Sequence, residues 1–326
     1  MRFLKKQQQF LESKEVLKMS IDMFLGTSEL ALIYAILALG LYISFRVLDI
    51  PDLTVDGSFV TGAAVSAIMC LNGHTFLGLL IAFIAGGFAG ILTSLLHTKL
   101  KIQMLLAGIL SMLALYSINL KIMGGKPNIP LLNKDTIFTT LENFALTQYI
   151  RGIVILVILT ACLVLLFLFL NTKLGLTIRA TGNNEYMARA QGINTNKTKM
   201  IGLAISNALV ALSGAILAQY QSFTDIGMGV GMIVVGLASI MIGEVLFRGK
   251  SIFWMLIAVA FGSVIYRFII ATALQLGMPP TDLKLISAII VALALSIPTV
   301  HASIVQRKNR FRFLNSKRSL KFDAES

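Results

Sequence analysis

The chain has 326 residues, of which 56% are hydrophobic and 13% charged, and its mean hydropathy is +0.83. A soluble domain carries about a quarter charged residues, so a mostly water-facing protein is excluded and a polytopic membrane protein is expected. The net charge of +13 gathers in short clusters between apolar segments and in the tail, which is the pattern of a membrane protein and not a nucleic-acid footprint.

Residues 1–28 form a polar, basic N-terminal extension. Its first 22 residues carry Lys5, Lys6, Lys14 and Lys18 and lack the apolar core of a secretory signal. Residues 29–303 form the membrane part and 304–326 a basic tail. A helix rises about 1.5 Å per residue, so roughly 20 residues cross a bilayer core. On that measure the expected spans are 29–47, 57–72, 75–96, 102–120, 148–170, 200–220, 227–247, 252–274 and 283–300. The expected fold is all-α with about nine transmembrane helices, one of them short or broken after residue 48.

The break lies in residues 48–58, LDIPDLTVDGS. Three carboxylates, a proline and a glycine interrupt the apolar pattern there. Pro51 removes a donor and biases Ile50 away from helix, and Gly57 permits tight backbone geometry. Two readings stand side by side. One is an acidic cytoplasmic loop. The other is an unwound segment at membrane depth, followed by a half-helix that faces a polar path. On the second reading Asp52, Thr54, Asp56 and Ser58 are candidate residues of a translocation path. Asp56 then either caps the half-helix it begins or meets the amino group of a solute.

Other polar points are sparser. Glu29 falls at the start of the first span and Glu244 near the end of the seventh. Arg267 lies well inside the eighth span, must face protein or water, and joins the path candidates. Gly86 and Gly90 make a GxxxG, and Gly227, Gly229 and Gly231 open the seventh span; both patterns read as close helix packing. Cys70 and Cys162 lie within apolar segments, and His74, His97 and His301 are scattered, so no metal site is expected. The triplet Gly124-Gly125-Lys126 lacks the spacing of a phosphate-binding loop.

Residues 171–199 are polar and sit between two long apolar segments. Within them, residues 182–192 read as one short helix, with Asn183 as N-cap, Glu185 on the first turn and Gly192 as a left-handed stop. Glu185 and Arg189 stand at i,i+4, where opposite charges support an exposed helix. Tyr186, Arg189 and Ala190 share a face, with Met187 beside them. The stretch is either a solvated connector or a docking element for a cytoplasmic partner.

A C-terminus placed inside puts Lys99, Lys101, the 171–199 loop, Arg248 and Lys250 on the same side, leaving Lys121, Lys126 and Lys134 outside. The count also puts residues 1–22 outside, where their lysines disagree. A re-entrant element, or a start at Met19 or Met23, would reconcile them. The tail, with Arg307, Lys308, Arg310, Arg312, Lys317, Arg318 and Lys321, suits contact with anionic membrane lipid. The second span (GAAVSAIM, 62–69) and the seventh (GLASIM, 236–241) run in opposite directions in this arrangement, as an inverted pair requires.

The segment from Gly175 through Arg179-Ala180, Gly182-Asn183-Asn184-Glu185 and Ala188-Arg189-Ala190-Gln191-Gly192 to Ile193-Asn194 resembles the cytoplasmic loop of bacterial ABC-transporter permeases. That family serves branched-chain amino acids, ribose-type sugars and nucleosides. The phrase PDLTVDGS (51–58) resembles the tryptophan/tyrosine-type branch, and the resemblance runs from about residue 29 to 303. It implies a separate cytoplasmic ATP-binding subunit, an extracytoplasmic substrate-binding protein, two permease copies around one path, and no cofactor. It also implies that Asn184, Glu185, Tyr186, Met187, Arg189, Ala190 and Gly192 couple to the ATPase. A secondary transporter or channel is the competing class. A membrane enzyme is disfavoured, because neither HExxH nor a nucleophile elbow is present.

Overall fold

The computed structural model describes residues 23–142, 149–247 and 251–279, together with residues 282, 285–289 and 292. The basic extension up to residue 22, the tail from 304 and most of the expected ninth span lie outside the described residues.

Long apolar runs become helices because a helix satisfies its own backbone polar groups where no water can. Seven of them are long and apolar enough to cross a membrane. These are α1 (Met23–Val47), α2 (Thr54–Leu71), α3 (Thr75–Thr98), α4 (Met104–Ile122), α6 (Ile150–Leu170), α9 (Thr195–Gln221) and α11 (Ile252–Gln275). Shorter pieces complete the order: β1 (Asn128–Pro130), α5 (Ile137–Glu142), α7 (Lys173–Asn183), α8 (Glu185–Ala190), β2 (Phe223–Asp225) and α10 (Met232–Leu246). The expected span at 227–247 shrinks to the 15 residues of α10, because residues 226–231 turn ahead of it and Gly231 takes φ +91°. The described residues thus hold seven long helices and one short apolar helix in place of eight of the nine expected spans, and the ninth lies mostly outside them. The fold also departs from all-α by one small antiparallel sheet, in which Ile129 pairs with Thr224.

The centre of the bundle is α9, with α1, α2 and α3 around it. Ser58 meets Asn207, and two turns on Ser66 meets the Ala215 carbonyl, each across 149 residues of chain, so α2 and α9 run parallel and in register. Gly86 faces Asn207 while Gly90, one turn later, faces Leu203, one turn earlier, so α3 runs antiparallel to α9. Ser206 bonds the Gly40 carbonyl and Ser213 the Ile33 carbonyl, which sets α1 antiparallel as well. A Cβ on Gly62, Gly86, Gly90 or Gly214 would meet the facing helix's backbone. Small residues thus bring these backbones together, as the GxxxG led one to expect.

A second layer comprises α10 and α11. Gly243 faces Ala258 and Gly262 faces Ser239, so these two are antiparallel. Ser263 bonds the Ala31 carbonyl and Tyr42 meets Met255, so α11 is antiparallel to α1. Taken together, these contacts make α10 run opposite to α2. The directional requirement of an inverted pair is met.

The bundle has two ends. At one, α7 packs against the last turn of α1, where Gly182 abuts the Val47 carbonyl, and α8 packs on α7 and α9. At the other, the small β1–β2 sheet lies beside the end of α9. There the buried Gln219 side chain ties Ser66, the Thr75 carbonyl and the Ile137 N–H together.

Candidate functional site

At the first end, Thr172 caps α7 and Asn194 caps α9, each side-chain oxygen accepting an N–H of its first turn. Between them stands α8. Its cap is Asn184, whose Oδ1 accepts the Met187 N–H at 3.0 Å. Asn183 instead closes α7, so the expected single helix over 182–192 is corrected to two helices meeting at Asn184, whose extended backbone (φ −158°) breaks them. Gly192 takes φ +81° and lets Ile193 donate back to the Ala188 carbonyl at 3.0 Å, which is the left-handed stop.

Glu185 is a hub. Its Oε1 accepts from Arg189 Nη2 at 2.6 Å and its Oε2 from Lys199 Nζ at 2.8 Å, while Arg189 Nε also donates to Thr195 at 2.8 Å. Burial alone would push the Glu185 carboxyl up, but the Lys199 hydrogen bond and charge, with Arg189 and Thr195, hold it below the ordinary glutamate value of 4.5. Lys199 and Thr195 were missed in the sequence, because they lie across a turn on the next helix. These bonds lock α8 to the first turns of α9. Only Ala188 of α8 is buried; Tyr186 is 84% exposed and Met187 60%, with Arg189 and Ala190 also at the surface. A rigid helix thus presents a tyrosine and a methionine outward.

The break after α1 has its own construction. The last turn of α1 widens into a π-turn at Ile43–Val47, Asp49 takes φ +55°, and Pro51 precedes the start of α2. Asp52 is fully buried. Its Oδ1 accepts the Thr54 N–H at 2.9 Å and its Oδ2 accepts from Asn207 Nδ2 at 2.6 Å, while Ser58 donates to Asn207 Oδ1 at 2.6 Å. Thr54 pairs with Thr93 at 2.7 Å. Asn207 lies near the middle of α9, so this segment sits deep in the bundle and does not hang from its end. Three of the path candidates, Asp52, Thr54 and Ser58, are thereby brought into a buried, satisfied network. Its centre, Asn207, was missed in the sequence, where it is one of several polar residues scattered along an apolar span.

Asp56 stands apart from them. Its carboxylate accepts the N–H groups of Gly231 at 3.0 Å and Ile233 at 2.9 Å, at the first turn of α10. The expectation that it caps its own helix is corrected: the first N–H of α2 goes to Asp52, and Asp56, one turn in, points to a neighbour. Arg267 stacks over the Tyr34 ring at 5.3 Å, beside a cavity of about 360 Å³ at the same start of α10. Asp56 and Arg267 therefore approach α10 from two sides and do not join the Asp52 network.

The model of the family described as branched-chain amino acid transport system / permease component matches residues 23–295. The chain belongs to this family of ABC-transporter permeases. Like other permeases of the family it is a multi-pass membrane protein. The permease is 43% identical over 275 residues to the tyrosine transport system permease protein of Clostridioides difficile, covering 84% of this chain and 90% of that one. It is 37% identical to an uncharacterised protein of Rickettsia prowazekii, covering 85% and 98%. The ribose import permease of Escherichia coli K12 is more distant, at 25% identity over 81% of each chain. Among solved structures, PsaBC from Streptococcus pneumoniae in complex with Fab shares the fold at a TM-score of 0.50 and 15% identity, covering 82% of this permease and 89% of that chain.

Proposed function

We propose that the permease is the membrane subunit of an importer that carries an aromatic amino acid inward, driven by ATP hydrolysed on a separate subunit. The observation that carries the coupling part is α8. It is fixed to α9 through Glu185, Arg189 and Lys199, yet offers Tyr186 and Met187 to a partner. An exposed aromatic beside a methionine on a rigid short helix suits insertion into a groove of another protein. Packing of α7 against the end of α1 gives any push on this end a route to the break at residues 48–53. The solute class is drawn from the tyrosine transport permease, at 43% identity.

The α7–α8 end is assigned to the cytoplasm, because it carries Lys99, Lys101, Lys173, Arg179, Lys197 and Lys199. The end with the β1–β2 sheet then receives an extracytoplasmic binding protein. Two copies of the permease surround the path, and the basic tail at 304–326 lies along anionic lipid.

The test is reconstitution. The permease, its ATPase and its binding protein in liposomes are expected to take up tyrosine only with ATP inside and binding protein outside. Uptake that follows an ion gradient without ATP would replace this reading with a secondary transporter. Tyrosine excluded while a sugar enters would overturn the solute class.

A further inference from the structure

Arg267 is two-thirds of the way along α11, a helix apolar enough to cross a membrane. A guanidinium at such a depth is costly unless something satisfies it. The other charged side chains deep in the described bundle have partners: Asp52 has Asn207, Asp56 has the α10 amides, and Glu29 accepts from Tyr220 at 2.9 Å. Arg267 has no ion pair among the described residues. It stacks on the Tyr34 ring, and a cation–π contact uses none of the five N–H donors of a guanidinium.

Arg267 lines the cavity at the start of α10. Its walls are largely apolar, with Val230, Met232 and Val235 on one side and Tyr266 on the other. The volume suits a small organic molecule with a ring. The N–H groups at the start of α10 would ordinarily attract an anion, but the Asp56 carboxylate occupies them. Arg267 is therefore left as the anion-binding group of the cavity, and its planar fork matches a carboxylate better than a point charge.

We propose that Arg267 binds the carboxylate of an aromatic amino acid whose ring lies against Val235 and Tyr266. The identity of the solute rests on the transport reading; the presence of a carboxylate site does not. Val230 lines this cavity and is 61% exposed, so it offers a reporter position. Val230→Cys in the purified permease is to be labelled with a small maleimide, with the unsubstituted chain, whose Cys70 and Cys162 are buried, as background.

Tyrosine and 4-hydroxyphenylpropionate are expected to slow labelling, and tyramine, which lacks the carboxylate, is not. Adding Arg267→Gln is expected to weaken protection by at least about tenfold, the value of one charge-assisted hydrogen bond, with Arg267→Lys between the two. Equal protection by tyramine, no protection by either acid, or protection unchanged in Arg267→Gln would overturn the site. A variant that fails to fold is recognised by loss of its melting transition, and Arg267→Lys then decides. Carboxylate protection without ATP-driven uptake would keep the site and sink the transport reading.

Discussion

Asp56 on α2 accepts the backbone N–H of Ile233 on α10 at 2.9 Å, across 177 residues of chain. Two helices that run in opposite directions thus begin side by side, one supplying the cap of the other. Gly229 allows this approach, since a Cβ there would meet the Asp56 carbonyl and the Val60 side chain. Asp56→Ala removes the cap and is expected to cost about 1–2 kcal/mol, whereas Asp56→Asn keeps an acceptor and most of that stability. Thermal unfolding in detergent measures both. Full uptake by the Asn variant is expected from a cap; loss of uptake in a stably assembled Asn variant would assign the charge to the solute.

The buried network around Asn207 predicts a larger loss. Asn207→Ala leaves the Asp52 carboxylate and the Ser58 hydroxyl without their partner. The expected destabilisation is roughly 3 kcal/mol, because a buried charge loses its compensation. Adding Asp52→Asn removes that charge and is expected to recover part of the loss. The yield of monodisperse protein and its melting temperature report the sequence of effects.

Neighbouring glycines in α3 separate packing from composition. A Cβ at Gly86 would press on Ala211 and the Asn207 carbonyl, whereas at Gly87 it would sit 3.7 Å from the nearest atom, the Ala204 carbonyl oxygen. Gly86→Ala is therefore expected to destabilise by about 1–3 kcal/mol through forced separation of α3 and α9. Gly87→Ala is expected to be neutral or slightly stabilising, and parallel melting curves decide.

The α8 helix predicts uncoupling without unfolding. Arg189→Ala removes bonds to Glu185 and Thr195 at the surface, where such pairs contribute under about 1 kcal/mol. Melting should stay near that of the unsubstituted protein while ATP-driven uptake falls. Unchanged uptake would mean that α8 does not carry the coupling.

The same helix has a sign-defined pH response. Folding lowers the Glu185 carboxyl, so the tie to Lys199 is fully present above the ordinary glutamate value of 4.5 and is lost as pH falls through the lower folded value. Hydrogen exchange of α8 amides, corrected for intrinsic rates, is expected to accelerate in that acid window. Glu185→Gln should exchange fast at every pH, with the acid step gone.

What the sequence determined by itself was whatever short-range chemistry dictates. Apolar run length located the long helices, Pro51 and the three aspartates located the break, and Glu185 with Arg189 located a short helix by its i,i+4 pair. Charge distribution alone separated the two ends. The tertiary structure decided which partner each polar group took. Sequence spacing offered Asp56 its own helix, and the fold handed it the start of α10; it offered Asn207 nothing, and the fold made it the centre of the Asp52 network. Glycines before α10 read as part of a span until Gly231 took a left-handed turn against α2. The physical reason is common to all three. Inside an apolar bundle a polar group must find a partner wherever a close-packed neighbour supplies one, and which helices are neighbours follows from the long-range packing of small residues.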